Sequence, residues 1–418
     1  MKTVVVISSR GFGVLRHDLL ADPGAFRFVG IFSELDVANV SAADRERFHR
    51  IHAVPCALAD PLAIETSIID VAAAREILRD LVAEAGPGEV TVHCYDERNL
   101  LVAAELREEF GLPGPTRAQI LPYRDKCLMK ERLAGTGLRV PRFGRFDAAA
   151  FRDDPAGCFA AIVAEVGLPF VLKPVDANSA DGVHKVFSAE QFAALPGGLA
   201  RGYEYEYEEY VEGTMYSVNL VSQGGRTVFG GVTEYLVNST EVQNGRVNAD
   251  INLIDTDPRV PRMIEFAETA LDALGRLDGA THLELFETAS DELVFLEVGA
   301  RFKGLAGLAA MQRNYGVALL NLALEIEAGV PSRPWDEEQV YCFDGVVPKR
   351  LGVVADLVEP ELASEYSITW KLEVGEEIGR GASLMDNGGL FLVWNKDYEV
   401  LYSDFKRLAG YQPVRYLD

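Results

Sequence analysis

Residues 281–301 read THLELFETASDELVFLEVGAR. Two runs of apolar and β-branched residues flank a short polar loop, the pattern of a β-hairpin. Whether Ser290–Asp291 alone or Ala289 through Glu292 turns the chain, counting outward places Glu284 opposite Glu297. Parity then puts His282, Glu284 and Phe286 on one face and Phe295, Glu297 and Gly299 on the matching face of the partner strand. Directly opposed side chains stand about 5 Å apart at Cβ, where like charges repel. A cation between them removes the repulsion, and magnesium is typically held by one or two carboxylates plus substrate phosphates. At this point a solvated sheet face is the competing explanation.

The whole chain narrows the setting. At 418 residues it exceeds a single core, so several domains or subdomains are expected. Its 48% hydrophobic and 25% charged residues are ordinary for a globular protein. A net charge of −24 opposes broad binding to nucleic acid or anionic membranes, so an anionic ligand needs a local pocket of cations or backbone N–H groups. No run approaches the roughly 18 apolar residues of a membrane span, and MKTVVVISS reads as a strand rather than a signal peptide. A cytoplasmic location is expected. Cys56, Cys94, Cys127, Cys158 and Cys342 are scattered, without paired spacing, and read as reduced thiols. His49, His52 and Cys56 lack the second ligand cluster that a zinc site needs and read as surface helix and loop.

Strand and helix signals alternate over the first hundred residues, through TVVVISS, RFVGIFS, AAAREILRDLVAEA and EVTVHCY, which predicts a parallel sheet covered by helices. The turn SSRGFGV carries Gly11 and Gly13 but not the third glycine of a dinucleotide-binding turn, so an NAD-dependent oxidoreductase is a weak alternative. From about residue 119 the texture changes. YRDKCLMKERLAGTGLRVP predicts one helix ended by Gly135 and Gly137, and GLPFVLKP predicts a strand stopped by Pro174. YEYEYEEY alternates with period two, Tyr on one face and Glu on the other. A hairpin turns at Gly224–Gly225, whose two-residue turn needs positive φ at both positions. Beyond about residue 335, SITWKLEVGEEI and GLFLVWNKDYEVLYS predict a β-rich tail.

The charged residues that punctuate this pattern carry the chemistry. Lys173 ends an apolar strand and is followed by PVDANSADGV, a loop whose backbone N–H groups can cradle phosphate beside a fixed positive charge. Arg301 follows Glu297 in EVGARFKG, beyond small residues that let a ligand approach the backbone, and arginine beside a metal site suits bidentate phosphate binding. Lys126 opens a helix after Asp125. No convincing Ser/His/Asp or Cys/His set is present.

In this order, RDK opening a helix, VLKP with its small-residue loop, EEYVEG at a strand end, then Glu284 and EVGAR, the chain resembles the ATP-grasp superfamily over roughly residues 90 to 335. THLELF…FLEVGARFKG followed by a helix, YDERNLLVAAELREEFGLPG and LEVGEEIG resemble its carboxylate–amine ligase branch, which contains the L-amino-acid ligases. The resemblance implies a mixed α/β fold in four parts: an N-terminal parallel-sheet domain (1–118), a small lid subdomain (119–211), a larger subdomain with the metal site (212–335) and a β-rich C-terminal domain (336–418). It implies that Lys126 and Lys173 hold the ATP phosphates, with residues 176–183, including Ser179 and Gly182, forming the loop above them. Glu208 would face the adenine amino group, and the backbone of Glu209 and Val211 would bind the adenine edge. Glu284 and Glu297 would ligate magnesium, or manganese in its place, while Arg301 would meet the γ-phosphate and then an acyl phosphate, with Arg301 and Lys173 as catalytic residues.

Three departures stand out. Met215 occupies the place of the usual ribose-binding acid, Gly299 that of the third metal ligand, and the phosphate loop is poor in glycine. Substrate contacts are expected near Gly304, with Glu97, Glu234, Asn248 and Asp250 as polar candidates and Glu234 preferred among them. The expected partners are ATP and small carboxylate and amine substrates, and a homodimer is compatible with the reading. The implied reaction joins a carboxylate to an amine through an acyl phosphate, releasing ADP and phosphate. A carboxylase acting on bicarbonate, or a nucleotide-binding regulator without turnover, are the alternatives.

Overall fold

The computed structural model describes residues 1–417 except 11, 21, 39, 59–66, 179, 196–198, 200–202, 331–338 and 380–383. Gly11, Ser179 and the boundary between 335 and 336 therefore lie outside the described residues.

The first strand, Lys2–Ile7, pairs in parallel with Phe26–Ser33 and Val90–Cys94, and Arg50–Val54 extends the sheet beyond Phe26–Ser33. Its unbroken apolar run follows from burial on both faces. Val5 and Ile7 enter one core with Val29, Ile31 and Val92, while Val4 and Val6 enter another with Phe28 and Phe32. The Val71–Ala85 helix is capped by Asp70, which accepts from the Ala73 amide, and the Leu100–Phe110 helix ends on Gly111 at φ 61°.

A second, antiparallel sheet runs in the order Phe143–Arg145, Tyr205–Glu209, Phe170–Pro174, His184–Val186. Phe170, Leu172 and Tyr205 face a core built with Phe151, Ile162 and Phe192. The expected alternation in YEYEYEEY is present: Tyr205 and Tyr207 pack on that core, and Glu206 and Glu208 are buried on the other face. The predicted helix of YRDKCLMKERLAG is shorter than its sequence signal. A turn of 3-10 helix at Leu121–Tyr123 precedes it, and Asp125 caps the α-helix Lys126–Arg132 by accepting from the Leu128 amide.

The largest sheet has eight antiparallel strands, ordered Leu293–Gly299, Gly279–Glu287, Thr214–Gln223, Arg226–Tyr235, Asn248–Asn252, Tyr341–Val347, Gly389–Asn395, Glu365–Trp370. Gly224 and Gly225 turn the second and longest hairpin at φ 57° and 76°, as required. Strands from the β-rich tail continue this same sheet. Within GLFLVWNKDYEVLYS only Gly389–Asn395 is strand. Asp397 then caps a helix, Tyr398–Arg407, whose Leu401 and Phe405 stand four apart on the buried face. That spacing is helical, and the strand expectation for the second half is corrected accordingly.

The opening hairpin brings Glu284 opposite Glu297, but by a different route from the one expected. The Asp291 amide donates to Thr288 O and the Thr288 amide to Glu292 O, so three residues form the loop, with Asp291 at φ 60°. That loop pairs Leu285 with Phe295, one residue out of step with the expected register. A β-bulge at Leu296 restores the step before Glu297. Phe295 consequently faces the core with Leu283 and Leu285 rather than sharing the face of Glu297, and Leu296 takes its place on the cavity side.

Candidate active site

Two cavities meet on this sheet. The first, about 120 Å³, lies between the small sheet and the hairpin, with Val171, Met215, Phe286 and Leu296 forming apolar walls. Lys126, Lys173, Glu208, Glu209, Val211, Glu284 and Glu297 also line it. Asn178, Ala180, Asp181 and Val183 bring the loop of small residues to its rim, and Gly182 sits in that loop at φ 69°, where a Cβ would approach Pro174 Cγ to 2.8 Å. Such a slot accommodates a flat apolar group at one end and anionic groups at the other.

The cationic end is tightly organised. Lys173 lies 2.6 Å from Glu208 and 3.7 Å from Glu206, since Tyr205–Glu209 runs beside its strand. Burial alone would lower the lysine's pKa, but the two carboxylates outweigh it and raise it. Lys130 completes the group at 2.7 Å from Glu206 and 2.6 Å from Glu208. Burial would raise the Glu208 pKa, yet Lys130 and Lys173 hold it down at about 2. Glu208, expected to meet an adenine amino group, is therefore gripped by two ammonium groups instead. Lys126, at the start of its helix, donates to Ala177 O at 2.5 Å and stands 3.4 Å from Glu297. Glu209 binds Arg139 and Arg142, and its amide donates to Arg142 O. Beside Met215, whose sulfur accepts from Ser239 Oγ at 3.7 Å, the residues Asn238, Ser239 and Thr240 supply the polar surface.

The carboxylate pair fits a hard divalent ion. Glu284 accepts from Tyr235 Oη at 2.8 Å and has His282 Nε2 at 3.4 Å; among the described ion pairs no lysine or arginine meets it. Burial raises its pKa, but the His282 and Tyr235 hydrogen bonds and the field of Arg301 leave it lowered, so it stays ionised. With Glu297 directly opposite and Lys126 the cation beside that group, the pair can bind a further cation. Among the described residues no group of three or more His, Cys, Asp or Glu is placed to hold a metal, so the remaining ligands would be water and phosphate oxygens.

The second cavity, about 400 Å³, lies on the other side of the same carboxylates and shares Glu284, Glu297, Asn178, Ala180 and Ser239 with the first. Arg301 lines it, its Nε donating to Glu97 at 2.6 Å and its Nη1 to Phe302 O. Glu97 also binds Arg124, and although burial pushes its pKa up, Arg301 and Arg124 pull it well below the usual carboxylate range. Glu97 is thus occupied by two guanidinium groups rather than open to an amine. Gly304 and Asn248 line the cavity as expected. Glu234 does not. It lies on the opposite face of the sheet, bound to Arg259 at 3.0 Å, to Tyr402 Oη and to Lys406, and the preference for it as a substrate ligand is corrected. Its strand neighbours Thr233 and Tyr235 face the site instead, the parity of a strand deciding between them.

Sequence reasoning missed Lys130 and Lys303. Lys303 is buried between Asp250 at 2.7 Å and Asp344 at 2.9 Å. Its signal was its place two residues after Arg301, on the stretch leaving the metal strand.

A sequence profile of the ATP-grasp domain matches residues 123–305, the stretch that holds both lysines, both carboxylates and Arg301. The chain carries an ATP-grasp domain. The L-arginine-specific L-amino acid ligase of Bacillus subtilis is 23% identical over 299 residues, covering 70% of this chain and 69% of the ligase. An L-amino acid ligase from Bacillus licheniformis superposes with a TM-score of 0.69 at 17% identity, covering 100% of this chain and 99% of its own. The biotin carboxylase domain of the Hydrogenobacter thermophilus 2-oxoglutarate carboxylase, solved with MgADP and bicarbonate, superposes with a TM-score of 0.65 at 16% identity over 99% and 91% of the two chains. These structures share the ATP-grasp fold with this protein. No helix among the described residues is long and apolar enough to cross a membrane.

Proposed function

We propose that this ATP-grasp protein is an ATP-dependent carboxylate–amine ligase acting on amino acids or small peptide-like substrates. The observation that carries the reading is the shared wall. A nucleotide in the first cavity and a carboxylate in the second would meet at Glu284 and Glu297, with Arg301 on the far side. Likeness to the L-amino acid ligases supports it.

A carboxylate is a poor electrophile because its leaving group would be oxide. In the proposed reaction a substrate carboxylate oxygen bonds to the γ-phosphorus as the bond to ADP breaks. The amine then attacks the carbonyl carbon, inorganic phosphate leaves, and the nitrogen loses a proton to give the amide. Lys126 and Lys173 would bind the triphosphate, with Ser179 and Gly182 in the loop above it. The Glu209 carbonyl and the Val211 amide would take the purine edge, because the Glu209 amide is already bonded. Glu284 and Glu297 would hold magnesium, or manganese in its stead, which when bound neutralises the phosphate oxygens. Arg301, oriented by Glu97, would bind the phosphoryl group as it moves. Positioning and electrostatics, rather than a side-chain nucleophile, carry such a reaction.

The test is ADP and phosphate release from ATP and magnesium over a panel of amino-acid pairs, with product masses. Amine-dependent ADP formation with a condensed product is expected, and Glu297→Ala should abolish it while the far-UV spectrum stays unchanged. Bicarbonate-dependent release without amine would replace this reading with a carboxylase, and thermal stabilisation by ATP without turnover on any pair would replace it with a regulator.

A further inference from the structure

The strand side of the second cavity has its own chemistry. Asn248 and Asp250 are two apart on one strand and face the cavity together, their Cβ atoms roughly 7 Å apart from strand geometry. Asn248 is 3% exposed and Asp250 8% exposed, yet Asn248 Oδ1 and Asp250 Oδ1 have no hydrogen-bond donor. Buried acceptors without donors are uncommon, because each loses its hydration uncompensated. Charge points the same way: among the described ion pairs Lys303 is the one ammonium that Asp250 and Asp344 share, and burial with Asp344 close by pushes Asp250 up to about 7, so its ionised form lacks a second cation. Two orphaned oxygens on successive same-face positions of one strand, beside a carboxylate short of a cation, suit a primary ammonium, which is a compact donor of three hydrogen bonds.

The surroundings define what the ammonium is attached to. Val346 pairs with Asn248 across the sheet, and Leu390 pairs with Val346, so an apolar row continues from the ammonium position along the cavity floor. Leu308 and Leu320 close it from the helices above. Asp250 is also the cross-strand partner of Tyr235, whose hydroxyl binds Glu284, so this side adjoins the carboxylate pair.

We infer that the second cavity holds an α-amino acid with an aliphatic side chain, its ammonium on Asn248 Oδ1 and Asp250 Oδ1 and its side chain against Leu308, Leu320, Val346 and Leu390. This deepens the ligase reading and rests on it for the reaction, though not for the binding. Among the described residues a guanidinium side chain finds no acid along the row of Leu308, Leu320, Val346 and Leu390, which separates this chain from an arginine-specific relative.

Calorimetric binding to the full-length protein tests it, with L-leucine, 4-methylpentanoate and L-arginine as probes. L-Leucine should bind, with 4-methylpentanoate, which lacks only the amine, and L-arginine each about tenfold weaker or more. Asn248→Leu should bring leucine down to the level of 4-methylpentanoate, and Asn248→Asp should keep the preference for leucine. Equal binding of leucine and 4-methylpentanoate by the unaltered protein, tighter binding of arginine, or no binding of leucine would each overturn the inference without needing any variant to fold. Leucine binding with this selectivity but no ADP formation on any amino-acid pair would sink the ligase reading and leave the subsite standing. ADP formation without the selectivity would do the reverse.

Discussion

At the scale of single residues, the buried group of Lys130, Lys173, Glu206 and Glu208 has the largest energetic leverage. Lys130 and Glu206 have side chains sealed from solvent, so screening by water is slight. Removing one partner of such a set strands a charge in a low dielectric. Lys130→Met should cost roughly 3–5 kcal/mol in urea unfolding, and adding Glu206→Leu should recover part of the loss. The same group sets an acid limit. Glu208 falls from an ordinary 4.5 to about 2 in the folded protein, so its contribution is complete above the unfolded value and is lost as pH falls through the folded one. Unfolding measured against pH should show stability declining between about pH 4.5 and 2, with a smaller decline in Lys130→Met, where the folded Glu208 value moves back toward the unfolded one that sets the onset. The sequence signals reached Lys173, Glu297 and Arg301 because each is announced locally, by a strand end or a run of small residues. Lys130 carries no such mark, and Lys303 has only its nearness to Arg301. Each matters through carboxylates 76 or 41 positions away along the chain, and no local pattern encodes that meeting.

At the scale of the element, the hairpin shows how a correct pairing can rest on a wrong register. Two-fold alternation assumes an unbroken ladder, and the three-residue loop breaks the count by one before the bulge at Leu296 returns it. The two deviations cancel at Glu297 and nowhere nearer the turn, which is why simple alternation puts Phe295 on the wrong face. The bulge places Leu296 and Glu297 together on the cavity side, adding an apolar contact next to a carboxylate. Deleting Leu296 leaves a regular ladder in which Glu284 still opposes Glu297 and Phe295 still faces the core. The expected result is a folded enzyme whose KM for ATP rises about fivefold, from the loss of roughly 1 kcal/mol of apolar contact, with the KM for the amino acid unchanged. An unaltered KM for ATP would show that Leu296 only spaces the strand.

At the scale of the molecule, the parallel sheet, the central hairpins and the chain order of the site were legible because their strands are long, patterned and bounded by turn residues. The union of the tail with the eight-stranded sheet was not, since edge-to-edge pairing of distant strands leaves no trace in local periodicity. Glu234 reports on that union. Its carboxylate ties the sheet to Arg259 on one helix and to Tyr402 and Lys406 on the Tyr398–Arg407 helix of the tail. Because it faces away from both cavities, Glu234→Gln should lower unfolding stability by about 1–3 kcal/mol, with partly exposed partners reducing the cost, and leave the KM for every substrate alone. A raised KM would return Glu234 to the substrate site. The shared wall between the cavities has a thermodynamic corollary. Asn178, Ala180 and Ser239 border both chambers along with the acidic pair, so an occupant of either chamber alters the lining that greets the other. Whatever factor the nucleotide applies to the grip on the amino acid, the amino acid must apply to the grip on the nucleotide.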